Sequence, residues 1–104
     1  MVARTWRGWT KADDLDRYVE YVKKTGVEGL AGTDGNRGVY IFSRAAGDRG
    51  EIVVTSLWES LDSIRAFAGD EIERAVFYPE DDAFLVDREW TCSHYEVPLA
   101  HALR

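Results

Sequence analysis

Val39-Tyr40-Ile41-Phe42 and Glu51-Ile52-Val53-Val54-Thr55-Ser56-Leu57-Trp58, separated by Ala46-Gly47-Asp48-Arg49-Gly50, form the stretch from which the rest of the chain can be read. Two runs rich in β-branched and aromatic residues flank a glycine-containing turn, the signature of a β-hairpin. Both runs are apolar at odd and at even positions, so the hairpin expects burial on both of its faces.

Working outward, residues 2–9 mix β-branched, aromatic and small residues and read as a strand. Thr10 then opens a helix, with Asp13 three residues on in a capping-box pattern. Leu15, Tyr18, Val19 and Val22 share one face of it, and Lys23 and Lys24 suit the negative end of the helix dipole before Gly26 stops it. Residues 29–38 follow as a glycine-rich connection. Beyond the hairpin, Ser60 caps a second helix carrying Leu61, Ile64 and Phe67 inward, closed by Gly69. Asp70 with Glu73 repeats the capping pattern for a short helix bearing Ile72, Ala75 and Val76, ended by Pro79. Glu80-Asp81-Asp82 reads as a solvated acidic turn, residues 88–97 as the last strand, and residues 99–104 as a flexible tail.

The order strand, helix, strand, strand, helix, strand predicts one domain over residues 1–98. Its fold class is α+β, a ferredoxin-like four-stranded antiparallel sheet with helices on one face. Two helices cover only one face of such a sheet. A large bare apolar face is an interaction surface, and the economical cover is a second copy of the chain, so a homodimer is expected.

The 104 residues suit a single domain, and 45% hydrophobic with 31% charged is a globular composition. A net charge of −6 argues against nucleic acid and against an anionic membrane surface as partners. No apolar run is long enough to span a bilayer, and the opening Met-Val-Ala-Arg-Thr-Trp-Arg lacks the apolar stretch of a signal peptide, so a cytoplasmic location is expected. Cys92 alone makes no internal disulfide, and no Cys/His array has zinc spacing. Four Trp, five Tyr and four Phe are a heavy load for so small a core, and point to a cavity or an interface that takes some of them.

Three features resemble the antibiotic biosynthesis monooxygenase (ABM) superfamily of dimeric α+β barrels over residues 2–97. These are Thr25-Gly26-Val27-Glu28-Gly29-Leu30 before the glycine-rich turn, Thr55-Ser56-Leu57-Trp58-Glu59-Ser60 running from strand into helix, and Phe67 within that helix. The resemblance implies a dimeric α+β barrel and, for one branch, oxygenation of aromatic or quinol substrates without a metal or organic cofactor. A second branch degrades haem, holding iron through a histidine about ten residues after the helix aromatic. That position here is Phe77, which cannot ligate a metal, while neighbouring Tyr78 can offer a phenolate oxygen or a pocket wall.

Several residues carry candidate chemistry beside a plainer role. His94 is a candidate base, or a strand histidine bonded across a subunit interface. Asn36 can stabilise an oxyanion by hydrogen bonding, or simply serve the turn with Gly35. Trp58, Phe67, Trp6, Trp9, Tyr40 and Phe42 can wall a flat apolar pocket between helices and sheet, or simply be core. Arg65 can meet a substrate anion, or pair with Asp62 three residues away. Together these favour an ABM-like monooxygenase using no cofactor and no metal, acting on a small aromatic, phenolic or quinol-type molecule with His94 and Asn36 as its polar contacts. The alternatives are a non-catalytic dimeric module that binds a small hydrophobic molecule or regulates a partner enzyme, and last a haem-binding or haem-degrading protein.

Overall fold

A computed structural model describes residues 1–101; of the tail at 99–104, positions 102–104 lie outside the described residues. The chain runs β1 (Val2–Lys11), α1 (Leu15–Lys24), α2 (Gly26–Ala31), β2 (Asn36–Ala46), β3 (Arg49–Trp58), α3 (Leu61–Ala68), α4 (Asp81–Phe84), β4 (Leu85–Arg88) and β5 (Ser93–Glu96). The strands form one antiparallel sheet in the order β2-β3-β1-β4, with β5 also paired to β1. The helices pack on one face of it, which is the ferredoxin-like arrangement expected from the sequence. No helix among the described residues is long and apolar enough to cross a membrane.

The hairpin forms as expected and extends at both ends, with Ala46 opposite Arg49 across a two-residue turn. Gly47 takes the positive φ (+66°) that this turn demands. At the other end of β2, Gly35 has φ +88°, and a Cβ there would lie 2.2 Å from Ser63 Oγ, so both conformation and space require glycine. Ser60 caps α3 by accepting a hydrogen bond from the Ser63 amide at 3.2 Å, and Gly69 ends that helix at φ +83°.

Four expectations are corrected. Thr10 is the buried penultimate residue of β1, its hydroxyl donating to Lys11 O at 2.8 Å, so it caps nothing. A 3-10 turn at Ala12–Asp14 leads into α1 instead. Gly26 does not end the helical region, because Thr25 separates α1 from the short helix α2 within the supposed glycine-rich connection. Residues 70–76 form no helix. Their backbone pairs with residues 90–92, Ala75 N donating to Trp90 O at 3.1 Å and Cys92 N to Glu73 O at 2.6 Å. That pairing divides the last strand into β4 and β5, giving five strands rather than four.

The core lies between sheet and helices. One cluster centres on Val2, Leu30, Trp58 and Ile64, the other on Tyr18, Val22 and Ile52, and Val54 packs against both. Trp58, Ile52 and Ile64 are completely buried, and Trp58 Nε1 donates to Ser56 Oγ at 2.8 Å, so its polar edge is satisfied inside the core. Leu61 is exposed rather than inward, leaving Ile64 and Phe67 as the helix residues that pack.

Candidate functional site

Strand alternation decides which side chains meet the helices. Arg4 and Trp6 of β1 and Val54 and Ser56 of β3 face α1, α2 and α3. Between these layers lies a half-open cavity of about 80 Å³. Tyr18, Val22 and Leu30 wall it from α1 and α2, Phe67 from α3, Asp81 from the start of α4, and Ala75 to Tyr78 with Cys92 from irregular segments. The lining is mostly apolar, with two polar centres.

The first is Arg4, only 4% exposed. Its guanidinium donates to Ile72 O, to Arg74 O at 3.0 Å, and to His94 Nε2 at 3.1 Å. Because a guanidinium only donates, His94 Nε2 must be the acceptor and its proton resides on Nδ1. Burial, then the charge of Arg4, hold His94 below the ordinary histidine pKa, which keeps that acceptor available. Burial lowers Arg4 as well, although an arginine this basic stays charged. Cys92, buried beside it, has its thiol pushed up by desolvation, against the pull of Arg4.

The second centre is Asp81, 4% exposed. Its Oδ1 accepts from Tyr18 OH at 3.0 Å and its Oδ2 from the Tyr78 amide at 2.7 Å. Burial first, and Asp81 second, drive the Tyr18 hydroxyl far above the usual tyrosine range, so it remains a neutral donor.

Of the residues singled out from the sequence, Trp6, Phe67 and Tyr78 line this cavity. Trp58 lies beneath it, its ring 6.1 Å from that of Phe67. His94 stands behind Arg4 rather than in the lining. Asn36 sits away from the cavity at the start of β2, its Oδ1 accepting from Gly38 N at 3.1 Å and its buried Nδ2 without a partner among the described residues. Trp9, Tyr40 and Phe42 are on the opposite face of the sheet and wall nothing here: Trp9 Nε1 donates to Glu51 Oε1 at 3.3 Å, while Tyr40 and Phe42 stack in the open, centroids 6.4 Å apart. Arg65 pairs with Asp62 on the surface of α3.

The sequence assigns Arg4 and Tyr18 no role at a site and treats Cys92 only as a lone cysteine, and the expected solvated acidic turn is corrected at Asp81, which opens α4 and is buried. Arg4 carries a legible signal, a lone cation at an inward position of an alternating strand. Asp81 carries none, because only the fold separates it from its solvated neighbour Asp82.

This architecture is the α+β, ferredoxin-like fold of the ABM type. The sequence matches no family model and no curated protein. In three dimensions it is similar to a Bacillus cereus protein provisionally classed as an antibiotic biosynthesis monooxygenase (TM-score 0.67, 16% identity, covering 98% of this chain and 97% of that one). It is also similar to a MhuD mutant crystallised with two manganese protoporphyrin IX per active site (TM-score 0.61, 15% identity, 98% and 99% covered). An uncharacterised NIPSNAP domain protein from Burkholderia xenovorans superposes over the full length of both chains (TM-score 0.60, 15% identity). At such identities the likeness establishes the fold.

A porphyrin does not fit the residues present. Among the described residues no histidine lines the cavity, Phe77 occupies the position expected of one, and the Cys92 thiol is held in its poorly ligating protonated form, which leaves the Tyr78 oxygen as the one ligand candidate from the sequence that reaches the lining. An engineered cavity that takes up benzene measures roughly 150 Å³, so a half-open space of about 80 Å³ receives part of one ring, with the rest at its mouth, and cannot enclose a macrocycle.

Proposed function

We propose that this protein is a cytoplasmic, homodimeric, cofactor-independent monooxygenase acting on a small phenol or quinol held in the cavity between helices and sheet. The observation that carries the reading is an apolar chamber with a buried guanidinium at one end, in a fold shared with a protein classed as a monooxygenase. Trp6 and Phe67 supply the wall against which an aromatic ring packs.

In the proposed reaction dioxygen oxidises a phenol with a free para position to the quinone, or a quinol with a free ring position to the hydroxyquinone, with water as the other product. One oxygen atom enters the ring, the other leaves as water, and the substrate itself supplies all four electrons. Arg4 stabilises the negative charge on the phenol oxygen, and His94 is a positioning residue that acts through Arg4. The cavity is small and half-open, so a single ring seated partly in its mouth is favoured over a polycycle. The second copy covers the open sheet face through Tyr40 and Phe42, which are 53% and 55% exposed.

Aerobic incubation with a panel of single-ring phenols and quinols, following quinone formation and oxygen uptake together, tests the reading. Equal amounts of quinone formed and oxygen consumed, lost on changing Phe67 to Ala, are expected. No protein-dependent uptake across the panel overturns it.

One observation favours a second reading, a non-catalytic ligand-binding module. The lone pair of His94 Nε2 is already committed to Arg4, so that histidine offers the cavity no free base. Ligand-dependent quenching of Trp6 fluorescence without oxygen uptake is the outcome this reading expects.

A further inference from the structure

We infer that the cavity takes its ligand as an aromatic oxyanion anchored on the guanidinium of Arg4. The aromatic class rests on the function proposed above, whereas the anion is argued from Arg4 itself.

A buried charge is tolerated when an opposite charge or a full set of hydrogen bonds compensates it. Arg4 has hydrogen bonds, but all to neutral acceptors: two backbone carbonyls and the unprotonated nitrogen of His94. These engage three of the five N–H donors a guanidinium carries. Among the described residues no carboxylate comes within ion-pairing distance of it.

The groups around Arg4 do not neutralise it. Cys92 remains a thiol because desolvation outweighs the help Arg4 gives its thiolate. Asp81 lines the same cavity but turns its two oxygens to Tyr18 OH and the Tyr78 amide. Glu73 acts on His94 from an exposed position, and Arg74, which supplies one of the carbonyls, points its own side chain to Glu71 on the surface. The chamber therefore has a cationic pole at Arg4, with two N–H groups unengaged, separated by apolar wall from an Asp81 carboxylate whose two oxygens are already hydrogen-bonded. A neutral ring leaves that pole uncompensated and a cation is repelled by it, whereas a phenolate or aryl carboxylate supplies the missing charge through short, charge-assisted hydrogen bonds.

The test is anaerobic titration of the protein with 4-nitrophenol slightly below the pKa of the free compound, with 4-nitroanisole as neutral counterpart and 4-nitrobenzoate to tell phenolate from carboxylate. The bound nitrophenol is expected to show its yellow phenolate band and to bind about 10-fold or more tighter than the anisole. Arg4→Gln should abolish that preference and Arg4→Lys retain part of it. Preference for either anion over the neutral ring supports the anchor. A neutral-phenol spectrum in the complex, equal affinity for the anisole, or binding of none of the three overturns it. These wild-type measurements decide even if Arg4→Gln does not fold. Anion preference without aerobic turnover sinks the monooxygenase reading and leaves the anchor standing. Turnover of a phenol bound in its neutral form sinks the anchor alone.

Discussion

The two faces of the sheet are built by the same strands and have opposite fates. β3 sends Ile52, Val54, Ser56 and Trp58 to the helices, while Val53, Thr55 and Leu57 look the other way. On the helix side Ile52 and Trp58 are wholly buried and a polar cavity end is built from Arg4. On the other side Tyr40, Phe42 and Tyr95 are exposed, with Thr5 and Thr55 hydroxyls 3.3 Å apart between them. Val53, Thr55 and Leu57 are nevertheless half-buried, because a central strand is shielded by its neighbours even where nothing lies on top. The difference teaches that apolar character alone does not say which face holds the site. The helices do, by enclosing one face and leaving the other open.

The sharpest way to break this contrast is Trp58→Ala. Removing a completely buried ring from the helix side should cost about 3–5 kcal/mol in chemical denaturation, enough to unfold a marginal domain. Loss below about 1 kcal/mol would mean that the helix layer is not the core. Tyr18→Phe probes the same side at its polar end. It strips Asp81 Oδ1 of its donor, and an expected loss of about 1–3 kcal/mol should appear in the same denaturation curves.

A smaller effect is expected from acid. The pKa of His94 is depressed in the folded chain, so folding favours its neutral form. That contribution is complete above the unfolded value of 6.5 and is lost as pH falls through the folded value. Denaturation midpoints compared at about pH 7 and about pH 5 should drop more for the wild type than for His94→Gln. Equal drops would disconnect His94 from stability.

The least change in chain stability, within about 0.5 kcal/mol, is expected for Phe42→Ser on the open face. Its informative effect is on assembly. Sedimentation should show the wild type as a dimer and the variant shifted toward monomer, and a wild-type monomer at micromolar concentration would remove the proposed cover.

Local features were legible where their causes are local. The hairpin at residues 36–58 follows from alternation and a turn glycine, and α3 from its Ser60 cap and Gly69 stop. Thr10 misled because a threonine before a polar run looks like a cap, whereas β1 continues through it opposite Gly50 of β3. Residues 70–76 have helical spacing, yet backbone pairing with residues 90–92 outweighs a weak local preference. The same competition placed Trp9, Tyr40 and Phe42 outside the cavity, since a strand aromatic's face depends on a register that the aromatics do not reveal.

By itself the sequence determined the class of fold, the hairpin, and the surplus of aromatic and two-sided apolar surface, because periodicity and turn chemistry act over a few residues. Tertiary structure alone decided that Arg4 is buried without a carboxylate, that His94 turns its lone pair toward it, and that Asp81 is removed from water. Those outcomes depend on which segments close over a side chain, and burial is a property of the whole packed chain rather than of any stretch of it.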